Sequence, residues 1–506
     1  MFIKVALLVI FFAVTIGVGV YFKQRSNDVD GFVLGGRSIG PWLSAFSYGV
    51  SYFSAVVFVG YAGQFGWRFG IAATWIGVGN AVIGAFLPWL ILARRTRSMT
   101  RKLNSKTMPE FFGLRYDSKA LKIGASVIVF IFLVPYTASL YNGLSRLFAM
   151  AFNVDFTICI IAMAVLTGIY VIIGGYVATS VNSFIQGIIM IVGIIAIITT
   201  VLNDNGGLSN ALNELSLIQE WDGTITGKFT SIFGPEPLNL LGVVLLTSLG
   251  TWGLPQMVQK FYSIKAEKDI FKGTVISTVF AFIIAGGCYF LGGFGRLYSG
   301  RTEIYGSAGN VAFDRIIPEM LSNFPDILMG LTILLVFAAS ISTLAGLVMA
   351  SASTFVMDFL KGNIIKNMNE KKQLISIRLL IVVFIAVSSI IAILQYRNSL
   401  AFIAQLMGIS WGALAGSFLA PFLYGLYWKR VSKISVWCCF GFSTIIMTLN
   451  ILFKNIFPPV LQSPINAGAF AMLAGLIIVP VVSLLTKAPD KELVDNCFSY
   501  NEEDDK

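Results

Sequence analysis

Apolar runs long enough to cross a bilayer follow one another along nearly the whole of this chain. Inside hydrocarbon every backbone N–H and C=O must find its partner within the protein. A run of about 20 such residues therefore has one ordinary solution, a helix. Of 506 residues, 56% are hydrophobic and only 12% charged, about half the charge of a soluble domain. The expectation is a single all-α integral membrane unit over 1–506, without a soluble domain. Hydropathy predicts about 13 spans: 2–22, 40–66, 71–93, 122–150, 155–175, 181–203, 236–260, 273–297, 324–357, 377–396, 400–426, 434–453 and 467–486. Residues 2–22 carry one basic residue, Lys4, and no small-residue cleavage motif, so they are expected to stay as an extra N-terminal helix.

The basic residues orient the bundle. With the N-terminus outside, the segments 23–38, 94–121, 261–272, 358–376, 427–433 and the tail 487–506 become cytoplasmic. About 27 of the 36 Lys and Arg then fall inside with their flanks. The densest cluster is Arg94, Arg95, Arg97, Arg101, Lys102 and Lys106. The net charge of +11 thus reads as topology rather than a nucleic-acid surface. The connections 204–235 and 298–323 are external, polar and turn-rich; either they carry short helices capping an outward vestibule or they are simple linkers.

The inventory of side chains removes several chemistries. The chain has no histidine, which excludes His-based zinc, haem and Ser-His-Asp sites. Cys159, Cys288, Cys438, Cys439 and Cys497 show no CxxC spacing, and no GxxxxGK[ST] phosphate loop is present. The chain is expected not to be an enzyme, and energy for transport has to come from an ion gradient or a partner subunit. No obligate protein partner is evident.

Two spans are interrupted. Gly49-Val50-Ser51-Tyr52-Phe53-Ser54-Ala55 lies mid-span, where small residues invite local unwinding that is tolerated only beside a cavity. The second interruption, Thr247-Ser248-Leu249-Gly250-Thr251-Trp252-Gly253-Leu254-Pro255-Gln256, sets two glycines around an aromatic and ends on a proline. Taken alone, it could be an ordinary proline kink. Five spans run from each break (40–203 and 236–426), and an odd-numbered repeat must invert in the membrane. Residues 434–486 add two further helices.

In the ninth span, Phe337-Ala338-Ala339-Ser340-Ile341-Ser342-Thr343-Leu344-Ala345-Gly346 sets adjacent hydroxyls mid-membrane. A hard monovalent cation takes neutral or anionic oxygens. The carbonyls of Val50, Phe53 and Ala339 with the side-chain oxygens of Ser342 and Thr343 would form a sodium cage. Interhelical Ser/Thr hydrogen bonding is the structural alternative.

At these residues the chain resembles the sodium:solute symporter family, which has the LeuT-type inverted-repeat fold. The resemblance covers most of the chain. It rests on Phe32-Val33-Leu34-Gly35-Gly36-Arg37-Ser38-Ile39-Gly40-Pro41-Trp42 and Thr107-Met108-Pro109-Glu110-Phe111-Phe112. Gly174-Gly175-Tyr176, Gln186-Gly187 and Ala339-Ser340-Ile341-Ser342-Thr343 complete it. It implies sodium-coupled uptake of a small-molecule solute across the plasma membrane by alternating access, with sodium ion at Val50, Phe53, Ala339, Ser342 and Thr343. Bacterial sodium/proline symporters look nearest, which makes an amino acid such as proline the expected solute.

The departures are specific. Proline symporters have an aspartate where Tyr52 stands here, many members have one at Ser183, and Thr247 and Thr251 replace aromatic positions. No other acidic residue lies in a predicted span core. Phe53-Ser54-Ala55-Val56 with Trp67-Arg68-Phe69-Gly70 is also similar to monocarboxylate and anion transporters of the family, and a sugar is a further alternative. Candidate solute contacts are Tyr52, Ser54, Asn80, Asn142, Thr251, Trp252 and Gln405, each also explicable as packing. Arg68 is either a steering charge for a carboxylate or an interfacial anchor. A solute sensor would need a signalling domain that the short tail, acidic at Glu502-Glu503-Asp504-Asp505, does not provide, while a passive channel is compatible with the sequence. Proton coupling is disfavoured by the missing carboxylates and histidines.

Overall fold

A computed structural model describes residues 2–23, 27–220, 223–306, 309–398 and 403–499. Residues 400–402 of the eleventh predicted span and the acidic end of the tail lie outside the described residues. Among the described residues there is no strand, only three isolated bridges, and the rest is helix and connection. Helix starts are written into the sequence. Thr107, Ser118 and Asp155 each cap the following turn with a side-chain oxygen. Pro41, Pro237, Pro255 and Pro464 occupy first positions, where no N–H is needed.

Among the described residues ten helices are long and apolar enough to cross a membrane, eleven with the bent pair Pro237–Gly253 and Pro255–Tyr262 taken as one span. That count is below 13 because two helical runs, each turned at one glycine, take in two predicted spans apiece. Phe156–Asp204 is a single run of 49 residues, interrupted only at Gly175 (φ 59°, ψ −171°), where a loop over 176–180 was expected. Val56–Lys102 runs from the first break through the third span with one turn at Gly70 (φ 62°, ψ −141°).

The helices are layered by burial. Asp326–Leu360 has 94% of its apolar window buried and Ile403–Tyr427 83%, against 22% for Phe2–Tyr21. The first two form the middle of the bundle, and the outer helices turn residues such as Ile158, Leu379 and Ile477 outward, as lipid contact requires.

All segments assigned to the cytoplasm meet at one end. Ile39 donates to Ser263 O (3.1 Å) and Lys265 to Ile39 O (3.0 Å). Arg37 reaches Ser105 O (2.7 Å), and Lys106 pairs with Asp30 (2.6 Å). Asp358 accepts from Thr107 (2.5 Å) and pairs with Lys122 (3.2 Å). Arg115 donates to Gly425 O (2.9 Å), and Lys429 meets Asp495 (2.8 Å). At the other end Lys4 pairs with Asp326 (3.1 Å) and Asn466 bonds Asn239 (2.9 Å). The long connections there carry the short helices Leu208–Ser216 and Phe313–Leu321. They seat Phe229 O and Phe313 O against Gly70 and Gly63 of the first broken helix, so close that a Cβ at either glycine would clash.

A candidate cation and solute site between two broken helices

Helix Pro41–Tyr52 ends at Phe53, whose backbone is extended (φ −108°, ψ 120°). The chain resumes as a π-turn, Val56–Tyr61. In an unbroken helix the Val57 N–H would bond Phe53 O. Here Val57 and Phe58 both donate to Ser54 O (3.0 Å each), so the Phe53 carbonyl drops out of both ladders. Unwinding therefore falls at Phe53-Ser54 and not at Gly49, which remains helical. A Cβ at Gly49 would lie 2.4 Å from the Phe280 ring; that glycine is there for close packing.

Helix Asp326–Leu360 crosses this break. The Thr343 Oγ1 lies 2.9 Å from Ala339 O, 3.3 Å from Val50 O and 3.4 Å from Ser51 O. A hydroxyl has one proton to give, yet three carbonyl oxygens converge on it, a surplus of acceptors that suits a hard cation. Ser340 Oγ accepts from Ala55 N–H (3.2 Å), tying the resumed helix to the same face. Ser342 sits beside Thr343 but turns its hydroxyl to Ser183 (2.6 Å). Val50, Ala339 and Thr343 are thus brought together, with Phe53 at the break and Ser342 on the adjoining face. The donor set is oxygen only and neutral, which fits sodium.

The second break is different. Pro237–Gly253 stays helical through Gly250 and Gly253, and only Leu254 (φ −79°, ψ 122°) leaves the ladder before Pro255. A Cβ at Gly250 would lie 2.3 Å from the Trp411 ring, and one at Gly253 would lie 2.7 Å from Leu419 N. The polar groups of this helix face the third span. Thr247 donates to Asn80 Oδ1 (2.8 Å), Thr251 to Gly84 O (2.9 Å) and the Trp252 indole to Ile83 O (2.8 Å).

Tyr52 joins the two breaks, its hydroxyl donating to Thr247 O (2.6 Å) and its ring stacking on Phe53 and Trp411. Tyr52, Ser54, Asn80 and Thr251 are all buried in this region, and Ser54 Oγ accepts from Val56 N–H (3.3 Å). Asn142 is placed elsewhere; its amide bonds Gln395 on Glu370–Asn398. Gln405 is half-buried near the start of Ile403–Tyr427, next to Ala404, whose carbonyl accepts from Tyr61 (3.3 Å). The sequence reading missed Trp411. It stacks on Tyr52, meets Tyr136 edge-on at 5.9 Å and has a buried indole N–H without a hydrogen bond. Its signal is a single large ring in a run of Gly and Ala.

Charged groups outside the spans are paired. Arg68 is not a free cation at the entrance, because Glu236 holds it through two contacts (2.7 and 3.3 Å). Two acidic groups just outside the predicted spans are buried in the protein. The helix carrying Thr343 runs on to Leu360 and buries Asp358 at its end, while Asp314 is buried beside Arg146 (3.7 Å). Desolvation raises the Asp314 carboxyl above the ordinary range and Arg146 opposes it.

The model of the sodium:solute symporter family matches residues 32–435. The chain belongs to this family. The symporter is 27% identical over 492 residues to the osmoregulated proline transporter OpuE of Bacillus subtilis (strain 168), covering 95% of this chain and 94% of the relative. It is likewise 27% identical over 491 residues to a sodium/proline symporter of Haemophilus influenzae, covering 94% of each. Among solved structures, a substrate-bound, outward-open Na+-coupled sialic acid symporter superposes with a TM-score of 0.74 at 18% identity, over 97% of this chain and 99% of that one. Mhp1, a nucleobase-cation-symport-1 family transporter, gives 0.51 at 12% over 92% and 97%. The fold is the LeuT type with two broken helices. This is a multi-pass cell-membrane symporter that couples a small solute to sodium, and not an enzyme.

Proposed function

We propose that the symporter takes up a small amino acid, proline first among them, with one sodium held by Val50, Phe53, Ala339, Ser342 and Thr343. The observation that carries the sodium assignment is the convergence of Ala339, Val50 and Ser51 carbonyls on one hydroxyl, Thr343. Proline is supported by the names of the relatives alone. Solute would lie between the breaks against Tyr52, Ser54, Asn80, Thr251 and Trp252, with Asn142 and Gln405 contributing only if the helices carrying them move. In this scheme 40–203 and 236–426 are the two inverted repeats, the N-terminus is outside and the basic end cytoplasmic. Sodium bridging the first broken helix to Asp326–Leu360 favours the outward-open state; solute then permits rocking, and low internal sodium releases both.

A second solute class has an observation in its favour. Around Tyr52 and Asn80 no carboxylate stands among the described residues to receive an amine, whereas Trp411 Nε1 and Asn80 Nδ2 are buried donors without hydrogen bonds. Donors without acceptors suit a monocarboxylate or a sugar. Thermal stability of the purified protein against amino acids, sugars and carboxylates, each in sodium and in potassium, separates these. Stabilisation by proline in sodium only is the expected result. Stabilisation by lactate or a hexose instead selects the second class, and indifference to the cation refutes the sodium site.

A further inference from the structure

Lys260 is a buried charge that this transport scheme leaves unused. It lies in Pro255–Tyr262, the second half of the second broken helix, and is 5% exposed. The other buried charged side chains among the described residues are matched. Asp314, Asp358 and Glu220 have Arg146, Lys122 and Lys228. Arg97, Arg115 and Arg296 reach carbonyl oxygens. Lys260 has the Ser47 hydroxyl at 2.9 Å and the Tyr176 ring at 5.0 Å. An ammonium inside a membrane protein without a counter-charge is costly, and such groups mark ion or proton pathways.

Its position ties it to the sodium cage in two ways. Ser47 precedes Val50 by one helical turn, so the amine is bonded to the helix that supplies the cage carbonyl. Lys260 also shares a cavity of about 10 Å³ with Thr179, Ser183, Gln256 and Ser342, roughly the space one water needs. Gln256 Oε1 is buried there without a partner. A fixed ammonium bonded to one helix of the cage and a sodium ion held by that helix repel each other in a medium of low dielectric. The Ser47 hydroxyl serves either state of the nitrogen, accepting from an ammonium or donating to an amine.

Other titratable or charged groups on the packed helices are engaged elsewhere. Tyr176 Oη shares a hydrogen with Ser263 Oγ, Tyr48 donates to Gly84 O, and Tyr52 donates to Thr247 O. Arg97 donates to Ile264 O, while Glu110 and Asp358 meet Lys122. Tyr262, on the same helix, is buried. None of these charged groups is paired with the amine.

We propose that Lys260 is a proton-binding site set against the sodium site. Sodium enters the cage as the Lys260 N–H bond breaks and its proton leaves to water, and the amine takes a proton back when sodium departs. Over a cycle one sodium moves inward and one proton outward, so uptake of a neutral solute transfers no net charge. The proposal rests on the sodium cage described above.

Proton release from the purified full-length protein in weak buffer tests it. Adding sodium is expected to release about one proton per ion bound at a pH where the ammonium is populated, and adding potassium none. Binding of radioactive sodium should strengthen by up to about tenfold per pH unit over part of the range from about pH 6 to about pH 10. Lys260→Gln should abolish that slope and bind tightly throughout; Lys260→Arg, permanently charged, should be flat and weak. No proton release by the wild type anywhere in that range, or an unchanged slope in Lys260→Gln, overturns the proposal. Thr343→Ala separates the two levels. If it binds sodium like the wild type, the cage is misassigned, while wild-type proton release still reports on Lys260.

Discussion

The two broken helices, joined by the Tyr52 hydroxyl on Thr247 O, do opposite things with the backbone they free. At Phe53-Ser54 the interruption leaves the Val50 and Ser51 carbonyl oxygens facing another helix, and a hydroxyl on that helix, Thr343, sits beside them. At Leu254 the interruption is a single residue whose own N–H and C=O are both bonded, and the helix's hydroxyls and indole are spent on the third span. The first break offers acceptors to an ion, and the second offers a fitted surface. A break alone therefore does not make an ion site; what crosses it decides.

The largest effect expected from this contrast is on sodium. Thr343→Ala removes the hydroxyl from the first break and should raise the sodium needed for half-maximal stabilisation by at least about tenfold, the scale of a hydrogen bond to a charged group. Sodium-dependent thermal shifts measure it, and an unchanged requirement would erase the distinction. Next come the glycines. Gly49→Val and Gly250→Val each drive a branched side chain into an aromatic ring and should cost about 1–3 kcal/mol of stability, read as lowered thermal midpoints of similar size. Loss of sodium response at full stability in Gly49→Val would return that glycine to the ion site. Thr251→Val deletes the bond to Gly84 O, worth about 1 kcal/mol; it should alter solute affinity a few-fold and sodium affinity not at all. The smallest effect is expected at the rim. Arg68→Gln breaks a half-exposed pair with Glu236, a class worth about 0–1 kcal/mol, and uptake affinity and its salt dependence should stay as in the wild type.

The sequence spoke clearly about class and less clearly about detail, for physical reasons. Apolar runs and the bias of Lys and Arg are summed over many residues, so single errors average out. The segments grouped by charge do meet at one end. The candidate cage residues stood out in the sequence because an Ala-rich span offers few other side-chain oxygens, and the structure sets Val50, Ala339 and Thr343 side by side. The glycines misled. Gly49, Gly250 and Gly253 each accommodate a neighbouring ring or backbone, and a glycine that admits a neighbour reads the same as one that unwinds. Trp411 and Lys260 escaped because their roles come from what they face across the bundle, which no local pattern encodes. The pairing of Arg68 with Glu236 spans 168 positions and is equally invisible locally.

The joint at Gly175 bears on how this chain can diverge. Loops absorb insertions and deletions because slack dissipates them, but the run Phe156–Asp204 contains no slack. One residue added after Gly175 would turn everything downstream by about 100°. That rotation would carry Ser183 off Ser342 and Asn182 off its bond to Thr15 O. Composition and hydropathy would hardly change. The register of two buried contacts thus hangs on the length of this stretch more than on the identity of its outward-facing side chains.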